Sequence, residues 1–127
     1  MTILSEQVLH APPLCEERVL GNFGLLFDPE PPNWIVTNQT GVEILSWVDG
    51  ERKVSDLVNR YRAQTAKDWA EAWLDVSTLL NHALRTDFLR TVPFEHPAYP
   101  GRGVLIENHK PNEMWLHLTN RCNLSCA

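Results

Sequence analysis

Hydrophobic and polar positions alternate most clearly from Leu14 onward, in "LCEERVLGNFGLLFDPEPPNWIVTN". Short apolar runs bounded by Gly, Pro, Asn and Asp read as strands, which predicts strands near Glu16 to Leu20, Phe23 to Phe27 and Trp34 to Thr37. Gly21-Asn22 suits a tight hairpin, because glycine accepts positive φ at the first central position. The second break, "DPEPPN", is longer; its prolines fix φ and withhold N–H donors, so no ladder runs through Asp28 to Asn33.

Past Asn38 the period becomes helical. Thr40 and Glu43 have capping-box spacing, which predicts a helix from about Gly41 to Val48 ended by Asp49-Gly50. Val54, Leu57, Val58 and Tyr61 recur at i, i+3, i+4 and i+7, a second helix of about two turns. The longest apolar stripe runs through Trp69, Trp73, Val76, Leu80 and Leu84. It predicts a helix from about Ala66 to Arg85, capped by Thr65 or Asp68 with acidic residues in its first turn. The fold class is therefore α+β, a three-stranded antiparallel sheet followed by three helices.

This unit is expected to occupy residues 14–92, preceded by a tail over residues 1–13. The composition then shifts: "PFEHPAYPGRG" holds three prolines and two glycines and reads as a linker. The linker, residues 93–112, includes the short strand-like run "GVLIEN", and a new apolar run, "EMWLHL", opens residues 113–127.

Composition narrows the function. At 127 residues, 43% hydrophobic and 21% charged, the chain is globular, and its net charge of −5 argues against a general nucleic-acid binder. No run approaches the roughly 18 to 20 apolar residues of a membrane span, and "MTILSEQVLHAPP" lacks the parts of a signal peptide. A cytoplasmic protein without membrane or nucleic-acid partners is expected. Three cysteines do not build a disulfide framework, and Cys15 reads as an incidental thiol.

Cys122 and Cys126 stand at the end of "WLHLTNRCNLSCA". They read as chance thiols, half of a zinc site, or ligands of an iron–sulfur cluster held in one tight loop. Zinc would need a second ligand pair, and His10, His82, His96, His109 and His117 offer none at suitable spacing.

"LHLTNRCNLSCA" resembles the first strand and cluster loop of radical S-adenosylmethionine (radical SAM) enzymes, whose signature is C-x-x-x-C-x-x-C. Cys122 and Cys126 match its first two cysteines, and T-N-x-C-N-L-x-C is the form typical of peptide-modifying members. The resemblance implies a 4Fe-4S cluster on three thiolates, with S-adenosylmethionine on the fourth iron and an electron donor that triggers radical formation. The third cysteine would fall two residues beyond Ala127. The chain is thus expected to be the first part of a radical SAM peptide maturase, inactive alone and holding no cluster stably.

The upstream unit resembles PqqD-like domains, the recognition elements that bind precursor peptides in ribosomal peptide natural-product (RiPP) pathways. The resemblance rests on three strands, N-x-T-G-x-x-I-L from Asn38 to Leu45, Asp49-Gly50, and D-V-x-x-L-L from Asp75 to Leu80. It implies a winged-helix-like fold in which a leader peptide adds as an extra strand beside the third strand, against the third helix. An exposed sheet edge offers free N–H and C=O groups to any extended peptide. Trp34, Ile35, Val36 and Thr37 would supply that edge, and Trp69 and Trp73 either pack in the core or line the groove. The rival readings are a winged-helix DNA-binding regulator, with Lys53, Arg60 and Arg62 near the second helix, and a small iron–sulfur or zinc protein.

Overall fold

Gly21 takes φ +61°, a left-handed conformation open to a residue without Cβ, and turns the chain between β1 (Glu16–Leu20) and β2 (Phe23–Asp28). A third strand, β3 (Asn33–Asn38), follows the proline-rich break. The structure, a computed structural model, describes residues 2–13, 15–29 and 32–95. Readings on residues 96–127, Cys122 and Cys126 among them, lie outside the described residues.

The sheet is antiparallel in the order β1-β2-β3, with Leu26 paired to Ile35 and Leu25 to Val36. Successive side chains of a strand alternate between faces. Leu26 and Ile35 accordingly turn into the core at 6% and 2% exposure, while Val36 and Trp34 face outward.

Three helices follow, α1 (Gln39–Ser46), α2 (Val54–Thr65) and α3 (Trp69–Arg85): α1 packs on β2 and β3, and α2 and α3 pack on each other. The first cap differs from the sequence expectation. Asn38, the last residue of β3, is the N-cap, and its Oδ1 accepts from the Gly41 amide at 2.8 Å. Glu43 is thereby released from a capping box and accepts from Gln64 Nε2 instead. α2 runs 12 residues rather than two turns, because Arg62, Ala63 and Gln64 beyond its apolar stripe are good helix formers. In α3, Asp68 makes the capping box, its Oδ1 accepting from the Glu71 amide at 2.8 Å.

Residues 2–13, expected as a tail, are part of the core. Ile3 and Leu9 are 2% and 1% exposed. The amides of Val54 and Ser55 donate to the carbonyls of Gln7 and Ser5, each at 2.9 Å. Lys53, the N-cap of α2, carries no acceptor on its side chain; Asp56 accepts from the Lys53 amide at 3.0 Å, and the amino-terminal segment receives the next two amides with its own backbone. His10 and Arg90 exchange backbone hydrogen bonds at 2.8 and 3.0 Å. The segment therefore joins the start of α2 to the turn after α3, where Phe88 and Leu89 are fully buried.

Candidate functional site

The sheet ends at β3, and beside it lies a groove of about 570 Å³. Thr37, Asn38 and Gly41 form one wall, and Leu74, Thr78, Leu79 and His82 of α3 form the other. Gly41 keeps the first wall tightly packed: a Cβ there would run into the Thr37 side chain. Glycine lets the first turn of α1 lie directly on β3.

Outside the groove, Asn33 Nδ2 donates to the Thr86 carbonyl at 3.1 Å, tying the start of β3 to the end of α3. Within it Asp75 collects two donors on Oδ2, the Tyr61 hydroxyl at 3.0 Å and the Lys67 ammonium. The hydrogen bond from Lys67 is the main cause holding the Asp75 carboxyl below its usual value, and Asp75 in turn raises Lys67. Near neutral pH both are charged, so the groove presents a closed ion pair beside apolar Leu74 and Leu79.

The residues expected to bind peptide divide among three surfaces. Thr37 lines the groove. Ile35 is buried, so it can offer an incoming strand only backbone groups, and Trp34 and Val36 face outward at 58% and 56% exposure. Trp69 and Trp73 do not line the groove described above. They stack on each other with centroids 6.1 Å apart, and with Ile3, Leu4 and Leu74 they border a separate apolar hollow of about 650 Å³. Helical geometry is the reason. Thr78 follows Trp69 by about two and a half turns at 3.6 residues per turn, which puts the two on opposite sides of α3. Sequence reasoning passed over Leu74, Thr78 and His82 because they lie off the apolar stripe; the signal was Leu74, an apolar residue on an otherwise polar face.

The basic residues near α2 are engaged within the domain. Lys53 pairs with Glu6 at 2.6 Å, and the guanidinium groups of Arg60 and Arg62 lie over the rings of Trp47 and Trp69. A DNA-reading helix would direct such groups outward to phosphates. Among the described residues no group of His, Cys, Asp and Glu is arranged to hold a metal ion, and no helix is long and apolar enough to cross a membrane.

Residues 24–89 match the family model described as Coenzyme PQQ synthesis protein D (PqqD). The chain belongs to the PqqD family. The matched span contains β3 and all three helices, hence every residue that lines the groove. The PqqD match omits β1 and the amino-terminal segment, although Ile3 and Leu9 complete the core. A solved structure, "TbiB1 in Complex with the TbiA(beta) Leader Peptide", is similar with a TM-score of 0.52 and 12% identity, covering 64% of this chain and 94% of that one. At that identity the likeness establishes a shared fold. No curated protein matches the chain.

Proposed function

We propose that this domain binds the leader segment of a ribosomally made precursor peptide, which adds as a fourth strand along β3 with α3 as the floor of its groove. The observation that carries the reading is the juxtaposition of a terminal strand and a groove between that strand and α3. An extended peptide satisfies the free backbone groups of such an edge, and the flanking pocket selects its side chains. Membership in the PqqD family and the shared fold with TbiB1, whose structure contains a leader peptide, support the same reading.

The partner is thus a peptide, and the chemistry done on it belongs to a catalytic domain. We place that chemistry with a radical SAM domain that starts at residues 113–127, with Cys122 and Cys126 as its first cluster ligands. S-adenosylmethionine and a 4Fe-4S cluster would supply the radical there. The support is the wording of the cysteine motif itself.

Thr78→Arg tests the binding reading without touching the core, because Thr78 is exposed yet lines the groove. A labelled leader peptide, taken from a precursor sought among the short reading frames near this gene, should bind the wild-type chain and lose at least about tenfold in affinity for the variant, or ~1.4 kcal/mol. Equal affinity for a natively folded Thr78→Arg chain would refute the groove as the binding site. For the second proposal, anaerobic reconstitution of a longer chain that includes the next cysteine should give cluster absorbance that Cys122→Ala abolishes.

A further inference from the structure

The face of the sheet turned away from the helices is apolar across a diagonal band. Leu20, Phe23, Trp34 and Val36 are 56% to 66% exposed. Leu25 and Phe27, between them on the central strand, are half-buried. The register fixes their places: Glu16, Phe27 and Trp34 form one row across the strands, Arg18, Leu25 and Val36 the next, and Leu20, Phe23 and Asn38 the last. The band runs corner to corner from Leu20 to Trp34, with Glu16 and Arg18 on one side and Asn38 at the opposite corner. We infer that this face joins two copies of the chain in a reversible, two-fold symmetric dimer. The inference rests on the sheet face alone and is independent of peptide binding at the groove.

Area and charge select a second copy as the occupant. Taking roughly 150–250 Å² for a fully exposed aromatic side chain as an upper guide for all four, the exposed residues present at most roughly 350–600 Å². That fills the range of about 300–600 Å² spanned by the largest patch on a monomer, a patch that is often functional. Two copies would bury at most roughly 700–1,200 Å² from these side chains, the size of weak, transient contacts, which fits an association that forms and dissociates.

A two-fold axis lying in the interface has four simple orientations on this three-by-three grid, and three of them fail. Along β2 it sets Glu16 on the partner's Trp34 and Arg18 on the partner's Val36, burying charge against apolar surface. Across the strands it sets Arg18 on the partner's Arg18. On the diagonal from Glu16 to Asn38 it sets Glu16 on the partner's Glu16. The remaining diagonal, through Leu20, Leu25 and Trp34, brings each of those residues against its own copy and Phe27 against the partner's Val36. It also lays the Arg18–Glu16 ion pair of each copy against the partner's Phe23 and the partner's Asn38. The guanidinium lies on the face of the partner's Phe23, a cation–π arrangement, and the carboxylate beside the Nδ2 amide of the partner's Asn38, whose Oδ1 is held by the Gly41 amide. The strands of the two sheets then cross near a right angle, one of the two usual ways in which sheets stack.

Sedimentation equilibrium of the full chain from about 5 to 500 µM should show a monomer–dimer equilibrium, and Phe23→Lys, which sets two cations together, should weaken it at least about tenfold. Adding Arg18→Glu restores opposite charge across the axis and should return most of the association. A wild-type chain that stays monomeric throughout overturns the inference, as does a dimer indifferent to Phe23→Lys, which would use another surface. Weakening without restoration by Arg18→Glu overturns the proposed axis. Circular dichroism of Phe23→Lys must be native; should it unfold, Leu20→Lys sets two lysines face to face from an outer corner and is read the same way.

Discussion

Leu9 lies outside the residues that match the PqqD family, yet it is 1% exposed and sits in the same core as residues of α2 and α3. Leu9→Ala removes three buried carbon atoms and leaves a cavity where the amino-terminal segment meets the helices. Fully burying a leucine is worth about 1.5–3 kcal/mol by transfer alone, and with the cavity term such truncations cost about 2–5 kcal/mol. A loss near 3 kcal/mol is expected, a large share of the about 5–15 kcal/mol that holds a small domain together. Leu4→Ala is the internal control: Leu4 is 64% exposed, and its truncation should stay within about 0.5 kcal/mol. Urea denaturation followed by far-ultraviolet circular dichroism measures both, and the slope should not change between variants. If Leu9→Ala matched Leu4→Ala, the amino-terminal segment would not belong to the cooperative unit. A chain trimmed to residues 24–89 should fare worse than either variant, since it also loses Ile3 and the carbonyls that receive the first amides of α2.

Two further outcomes follow from the groove. Gly41→Ala should gain about 1 kcal/mol from helix propensity but lose about 1–3 kcal/mol to the clash with Thr37, so the net change is destabilising; adding Thr37→Ala should recover at least half of the loss in thermal melts, and additivity of the two would exclude the clash. Asp75 has a folded pKa below its ordinary 3.8, so its contribution is complete above that value and fades as pH falls through the lowered one. Lys67, raised above 10.5 by the same pair, contributes throughout that range and loses its part only at higher pH. The melting temperature of Asp75→Asn should therefore trail that of the wild-type chain by a constant margin between about pH 5 and 8, and the margin should shrink below about pH 4; a margin unchanged at low pH would assign the effect to shape and not to charge.

The strands were legible because Gly21-Asn22 and the prolines between Asp28 and Asn33 leave little choice of boundary. α3 was legible because its apolar stripe is long and Asp68 and Glu71 mark its start. The first cap was misplaced because Asn38 serves two elements at once, ending β3 and capping α1, whereas sequence rules assign a residue to one. The amino-terminal segment escaped notice for a different reason. Ile3 and Leu9 follow neither period, and what holds the segment is backbone pairing with Lys53, Val54, Ser55 and Arg90, far away in sequence. Of the site, the strand could be read but not the direction each side chain takes, and Trp69 and Trp73 drew attention by size although the groove wall is made by Leu74, Thr78 and Leu79. Aromatic content marks an apolar surface without saying which side of a helix carries it.

The hydrogen bond from Asn33 to the Thr86 carbonyl joins the start of β3 to the end of α3, so the strand and the helix that would flank a bound peptide are tied to each other. A strand that adds along β3 pairs residue by residue, and a slip of one residue turns every side chain to the opposite face. On the proposed reading, a peptide lying along β3 is therefore held in one register, and whatever lies past its paired stretch is set at a distance fixed by the number of residues between. Residues inserted in the leader outside the groove would then shift the site of modification by the same number of residues, while those inserted within it would be expelled or would break the pairing. Recognition by an edge strand would so become a measurement of length as well as of identity.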